Sequence, residues 1–198
     1  MEAMEQNGEI FRPGERRFAA VLFSDMKGFT ALSGKMDPEE IDSLMTTIFS
    51  QFEGIIKRYE GTVEKYIGDA LVAVFGVPIH EDDCVRAVSA ALDFLDAVRL
   101  TNRRLKGRGG ELVFRTGIAA GLVTTGVRGE YDVVTGHPMS LASRLQEMAE
   151  PNEILASEEV RERCGNEFFF SDSLQVRPKG FDDDISVYRV TGRSPLSL

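Results

Sequence analysis

Apolar residues fall along the chain in two kinds of pattern, unbroken runs and helically spaced stripes. The first run, Phe18 to Phe23, ends in Ser24-Asp25, which predicts a central strand covered on both faces that delivers a polar residue at its end. A short helix is expected after Gly28, and Asp37-Pro38-Glu39-Glu40 then supplies an N-cap, a proline at the first helical position and a capping-box glutamate. Ile41, Leu44, Met45, Ile48, Phe52, Ile55, Ile56 and Tyr59 keep helical spacing. They predict a long helix with one face against a sheet, stopped by Gly61.

Thr62 to Ile67, Gly68-Asp69 and Ala70 to Phe75 predict two strands joined by a two-residue turn with glycine at its first central position. Glu81 to Leu105 predicts a second long helix with Val85, Val88, Ala91, Leu92, Leu95 and Val98 on one stripe, ended by the glycine-rich Lys106 to Gly110. A strand over Leu112 to Ala119 follows. The order strand, helix, strand, strand, helix, strand is the split βαβ arrangement of ferredoxin-like α+β domains. Gly121 to Val127 and Tyr131 to Thr135 predict short strands that extend the sheet, and Pro138 to Ala149 predicts a helix. Ile154 to Ala156, a capped helix from Glu158 to Cys164, and strands at Phe168 to Val176 and Ile185 to Val190 complete a mixed tail. The expected organisation is an N-terminal tail or linker over 1–17, one domain over 18–192 and a short C-terminal tail over 193–198.

Composition narrows the function classes. With 198 residues, 42% of them hydrophobic, the chain can bury a core without disulfides. A net charge of -9 argues against tracking nucleic-acid phosphates or docking on anionic lipid. Cys84 and Cys164 lack metal-ligand spacing and suit core positions in a reducing compartment. Glu2, Glu5 and Glu9 stand where a signal peptide carries basic and apolar residues, and no apolar run reaches membrane-spanning length. A cytoplasmic domain is expected, with a polar opening that fits a linker from a larger sensor or membrane protein.

Asp25 ends the first strand and Asp69 sits in the hairpin turn that a split βαβ fold places beside it. Paired carboxylates suit Mg²⁺, and a two-metal site suits in-line displacement at phosphorus. Each aspartate alone has an ordinary reading, as a strand-end cap or as half of a Gly-Asp turn. Their surroundings change that. Phe23-Ser24-Asp25-Met26-Lys27-Gly28-Phe29-Thr30 and Tyr66-Ile67-Gly68-Asp69-Ala70-Leu71-Val72-Ala73-Val74-Phe75-Gly76 resemble the two metal motifs of class III nucleotidyl cyclases. Gly14-Glu15-Arg16-Arg17 and Arg115-Thr116-Gly117-Ile118 are also similar to that family, so the likeness runs from about Gly14 to Val190.

The resemblance implies a ferredoxin-like core that dimerises head to tail, as a homodimer or with a second cyclase domain. It implies ATP bound between subunits, with two Mg²⁺ or Mn²⁺ ions on Asp25, Asp69 and the Met26 backbone carbonyl. The implied reaction is attack of the ribose 3′-hydroxyl on the α-phosphorus with release of pyrophosphate. Lys65 matches the family's base-reading lysine, a donor suited to adenine N1. Arg144, in Ser140-Leu141-Ala142-Ser143-Arg144-Leu145, matches the arginine that steadies the transferring phosphate. Lys179 resembles the loop lysine that reaches the terminal phosphates.

Two positions depart from the family pattern. Counting back from Arg144, the ribose-orienting asparagine falls on Ser140 and the second base-reading residue falls on Val133. A serine hydroxyl is shorter than a carboxamide, and valine offers the base no hydrogen bond. Asp132 could substitute only if a local bulge shifted the register, since alternation aims neighbouring residues at opposite faces. Three readings follow in order: an adenylate cyclase of low or unusual activity, a nucleotide-binding regulatory domain that pairs with an intact cyclase chain, and another palm-like polyphosphate enzyme. His80 and His137 lack a companion at ligand spacing, and Phe168-Phe169-Phe170 fits a strand packed on two faces.

Overall fold

The computed structural model describes residues 14–27, 34, 36–76, 81–105, 111–128 and 131–195, with the backbone alone at 127–128 and 131–132. The expected short helix after Gly28, the glycine-rich 106–110 segment and His80 lie outside them. Strand β1 (Arg16–Met26) is followed by helix α1 (Pro38–Arg58), strands β2 (Thr62–Ile67) and β3 (Ala70–Phe75) and helix α2 (Asp83–Leu105). Next come β4 (Phe114–Arg128), β5 (Tyr131–Thr135), α3 (His137–Met148), β6 (Ile154–Ser157) and α4 (Glu158–Cys164), then β7 (Phe168–Phe170), β8 (Leu174–Val176) and β9 (Ile185–Arg193).

The strands form one mixed sheet in the order β2-β3-β1-β4-β6-β9-β7, with β5 paired to β4 and β8 to β9. The first four are the ferredoxin-like core, antiparallel throughout. Strand β1 lies at its centre because its run has no polar interruption: Ala19 and Val21 pack on one face, Ala20 and Leu22 on the other. Helices α1, α2 and α4 cover the second face. Phe52 of α1 stacks on Phe94 of α2 at 3.7 Å, and Phe94 meets Phe114 of β4 edge-on at 4.8 Å. Helix α3 covers the first face with Leu141, Ala142 and Leu145. Both cysteines are free and buried, and burial pushes the Cys84 thiol up to about 12.

Local details differ from the pattern-based expectations. No side-chain bond caps α1 at Asp37; its carbonyl instead accepts the Ile41 N–H at 3.0 Å. The left-handed residue that ends α1 is Glu60 (φ 55°), while the Gly61 N–H bonds back to the Ile56 carbonyl at 2.9 Å. Gly61 is required for space instead, since a Cβ there would lie 2.5 Å from the Phe75 ring. The two strands expected over 112–127 are one, β4, because Gly121 at φ 155° carries the ladder onward. Phe168 to Val176 breaks into β7 and β8, and the Ser157 hydroxyl is buried without capping α4.

Candidate active site

The β2–β3 turn forms as the Gly-Asp pair predicts. Gly68 takes φ 63° at the first central position, which leaves Asp69 at the mouth of the hairpin. Register then brings Asp69 to Asp25: Asp25 pairs with Ala70 across β1 and β3, and the Met26 N–H reaches the Asp69 carbonyl at 3.4 Å. Backbone register thus places Asp25, Met26 and Asp69 at one end of the sheet. Burial raises the Asp69 carboxyl above the ordinary carboxylate range, and the nearby Asp25 charge pushes the same way while Arg115 opposes it. Two half-buried carboxylates at one sheet end are the kind of oxygen donors that a hard divalent cation accepts. Among the described residues no third histidine, cysteine or acidic side chain joins them.

Two side chains that the motif reading did not assign hold Asp25 in place. Arg115, directly across the β1–β4 ladder, donates to Asp25 Oδ2 at 2.9 Å, and Gln146 of α3 donates to the same oxygen at 3.2 Å. A second arginine nitrogen bonds the Glu147 carbonyl at 3.2 Å, which ties the end of α3 to the site. Below them the buried Ser24 and Thr116 hydroxyls share a hydrogen bond at 3.0 Å. Arg115 could be found from its cross-strand position once β1 and β4 are taken as antiparallel neighbours. Gln146 carries no signal of its own, because it depends on how closely α3 approaches the sheet. Gly117 permits that approach: a Cβ there would lie 2.2 Å from the Ala142 carbonyl and 2.3 Å from the Gln146 nitrogen.

The residues expected to act on nucleotide are placed differently. Ser140 and Arg144 stand one turn apart on the outer side of α3, away from the buried Leu141, Ala142 and Leu145. Arg144 forms a two-pronged pair with Glu147 at 2.7 and 2.8 Å. Gln146, not Arg144, is therefore the α3 side chain that reaches Asp25 within one chain. Lys65 pairs opposite Val72, so it shares the α3 face of the sheet, while Tyr66 turns to the other face and meets Phe49 and Glu53 of α1. Val133 is half-buried opposite Gly126 on the β4–β5 hairpin. Lys179 is exposed on the loop between β8 and β9, a loop anchored by Phe181 edge-on to His137 at 5.1 Å. No helix among the described residues is long and apolar enough to cross a membrane.

Known proteins share this fold. The crystal structure of the adenylyl cyclase CyaB from P. aeruginosa is similar at a TM-score of 0.87 and 29% identity, over 93% of this chain and 98% of that one. The guanylyl cyclase Cya2 is similar at 0.86 and 28% identity, over 93% and 96%. An adenylate cyclase of Mycobacterium tuberculosis (strain ATCC 25618 / H37Rv) is 29% identical over 167 residues, which are 82% of this chain and 37% of that protein. The chain thus spans little more than a third of that curated relative's length. These likenesses include cyclases named for either base and so do not choose between them. The model for the adenylate and guanylate cyclase catalytic domain matches residues 14–192, and the chain belongs to that family of nucleotide cyclase domains.

Proposed function

We propose that the domain is an adenylate cyclase, converting ATP to 3′,5′-cyclic AMP and pyrophosphate between two subunits. The observation that carries this reading is the meeting of Asp25 and Asp69 at the shared end of β1 and the β2–β3 hairpin. Asp25, Asp69 and the Met26 carbonyl would hold two Mg²⁺ or Mn²⁺ ions. When bound, these supply charge stabilisation at the phosphate and lower the pKa of the attacking 3′-hydroxyl.

The chain's own groups do the rest. Lys65 donates to adenine N1, which is the ground for choosing ATP over GTP. Arg144 leaves Glu147 and presents its planar donors to the equatorial oxygens of the transferring phosphate, where negative charge builds up. Its outward position on α3 fits service to the site of a partner subunit. Ser140, one turn away, orients the ribose through its hydroxyl, and Lys179 reaches the terminal phosphates from its loop. Arg115 and Gln146 keep the Asp25 carboxylate aimed.

The test is cyclic AMP and cyclic GMP formation by the purified chain with Mg²⁺ or Mn²⁺, beside Asp25→Ala and Asp69→Ala. Cyclic AMP that disappears in both variants is expected. Activity surviving in either variant overturns the reading, and preferential cyclic GMP formation overturns the base assignment. The mismatches at Val133 and Ser140 favour a second reading, a regulatory domain that lends its metal site to another cyclase chain. Silence of the chain alone, with activity restored by a second cyclase domain, is the outcome specific to it.

A further inference from the structure

Strand β2 carries a feature that the family motif does not use. Neighbouring residues of a strand normally face opposite sides of the sheet. Here the β2–β3 register shifts between Val63, opposite Ala73, and Lys65, opposite Val72, which makes Glu64 the extra residue of a β-bulge. Glu64 and Lys65 therefore reach the same place. The Lys65 ammonium donates to Glu64 Oε1 at 3.1 Å and lies 2.9 Å from Oε2.

The two side chains differ in exposure. Lys65 is 43% exposed and Glu64 only 4%. A carboxylate withdrawn from water needs donors to offset the lost hydration. Glu64 has Lys65 and the Val134 backbone N–H, which reaches Oε1 at a long 3.5 Å, while Oε2 is buried and accepts no well-directed hydrogen bond. Acceptor capacity is left over, and it lies at the seam between β2 and β5. That seam joins Lys65, read as the base contact, to Val134, the neighbour of the position that offers the base nothing, Val133.

We propose that Glu64 is a specificity-determining residue whose carboxylate is the acceptor half of the base-reading pair, in place of the hydrogen-bonding side chain absent at Val133. The inference rests on reading Lys65 as a base contact. Adenine presents an acceptor, N1, beside a donor, the N6 amino group, and an ammonium and a carboxylate within hydrogen-bonding distance of one another complement that edge. Lys65 turns from Glu64 to N1 and uncovers Oε2, which then accepts from the N6 amino group. With Lys65 placed at ring position 1 and Glu64 at the 6-substituent, guanine would set its N1–H against the ammonium and its O6 against the carboxylate, so the ratio of ATP to GTP affinity reports on this contact.

The experiment measures ATP and GTP affinities by competition against a fluorescent nucleotide in Mn²⁺, which requires no turnover. The proteins are the unaltered chain, Glu64→Ala, Glu64→Gln, Lys65→Ala and Glu64→Ala with Val133→Thr, each with its melting temperature. Losing one buried hydrogen-bond partner predicts an ATP preference about tenfold weaker in Glu64→Ala. Glu64→Gln should fall between, because an amide oxygen still accepts, and Val133→Thr should return part of the preference by restoring an acceptor from β5. An unselective unaltered chain, or a Glu64→Ala ratio equal to the unaltered one, overturns the proposal. A Glu64→Ala loss that tracks a lower melting temperature and is not recovered by Val133→Thr also overturns it, leaving Glu64 as a clamp between strands. If Lys65→Ala likewise leaves the ratio unchanged, the base assignment under "Proposed function" fails with it; if Lys65→Ala alone abolishes the preference, only the role of Glu64 fails.

Discussion

The carboxylate end of β1 and the bulged edge at β2 belong to one sheet, but they are built to different standards. Asp25 sits on a strand paired on both sides, with Arg115 and Gln146 holding one oxygen and Asp69 locked beside it by ladder register. Lys65 sits on an edge strand with an irregular ladder, next to Tyr66 and Ile67, which are 42% and 51% exposed. Positioning at the first region comes from backbone pairing; at the second it comes from side chains over a bulge. Charge stabilisation at phosphorus needs fixed donors, whereas base choice can be reset by a single side chain. Both departures from the family pattern, Val133 and Ser140, lie outside the locked region.

Three substitutions of decreasing effect separate the two regions. The largest change is Arg144→Ala, expected to lower the rate on the order of 10²–10³-fold, as for loss of one transition-state donor. The melting temperature should hardly move, because its exposed pair with Glu147 contributes little; a collapse in stability instead would show that Arg144 has a structural duty. Next is Gly117→Ala, which forces a methyl against the backbone of α3. Overpacking of this kind costs about 1–3 kcal/mol, measurable by denaturant unfolding, and activity should fall too because Gln146 and Arg115 lose their hold on Asp25. Unchanged stability would mean that α3 does not depend on that close approach. The smallest step is Val133→Thr with Ser140→Asn, expected to raise turnover about tenfold by returning hydrogen-bond partners to base and ribose. A weak enzyme made no faster would show that these two positions do not face the nucleotide.

What was legible in the sequence follows the same division. The unbroken run at Phe18–Phe23 predicted a doubly covered strand, and Gly68-Asp69 predicted a two-residue turn, because apolar period and turn chemistry act locally. The stripe from Ile41 to Ile56 predicted α1 for the same reason. What was not legible depends on relations between elements. The bulge at Glu64 arises from register with β3, Gln146 reaches Asp25 only because Gly117 lets α3 descend, and Gly61 is needed for the space that Phe75 fills, while the left-handed position falls on Glu60. The continuity of β4 through Gly121 is not legible either, because an interior glycine weakens the strand pattern and only pairing with β1 carries it on.

The most direct measurement is a Mn²⁺ titration of the purified chain with a non-cyclising ATP analogue, followed by paramagnetic resonance of free Mn²⁺. It would compare the unaltered protein with Asp25→Asn, Asp69→Asn and the double variant. If the two carboxylates grip the same ions, each single change removes nearly all the tight binding and the double change removes little more, as for groups acting as one unit. Tight binding that survives either single change, or two losses that simply add, would contradict a shared site.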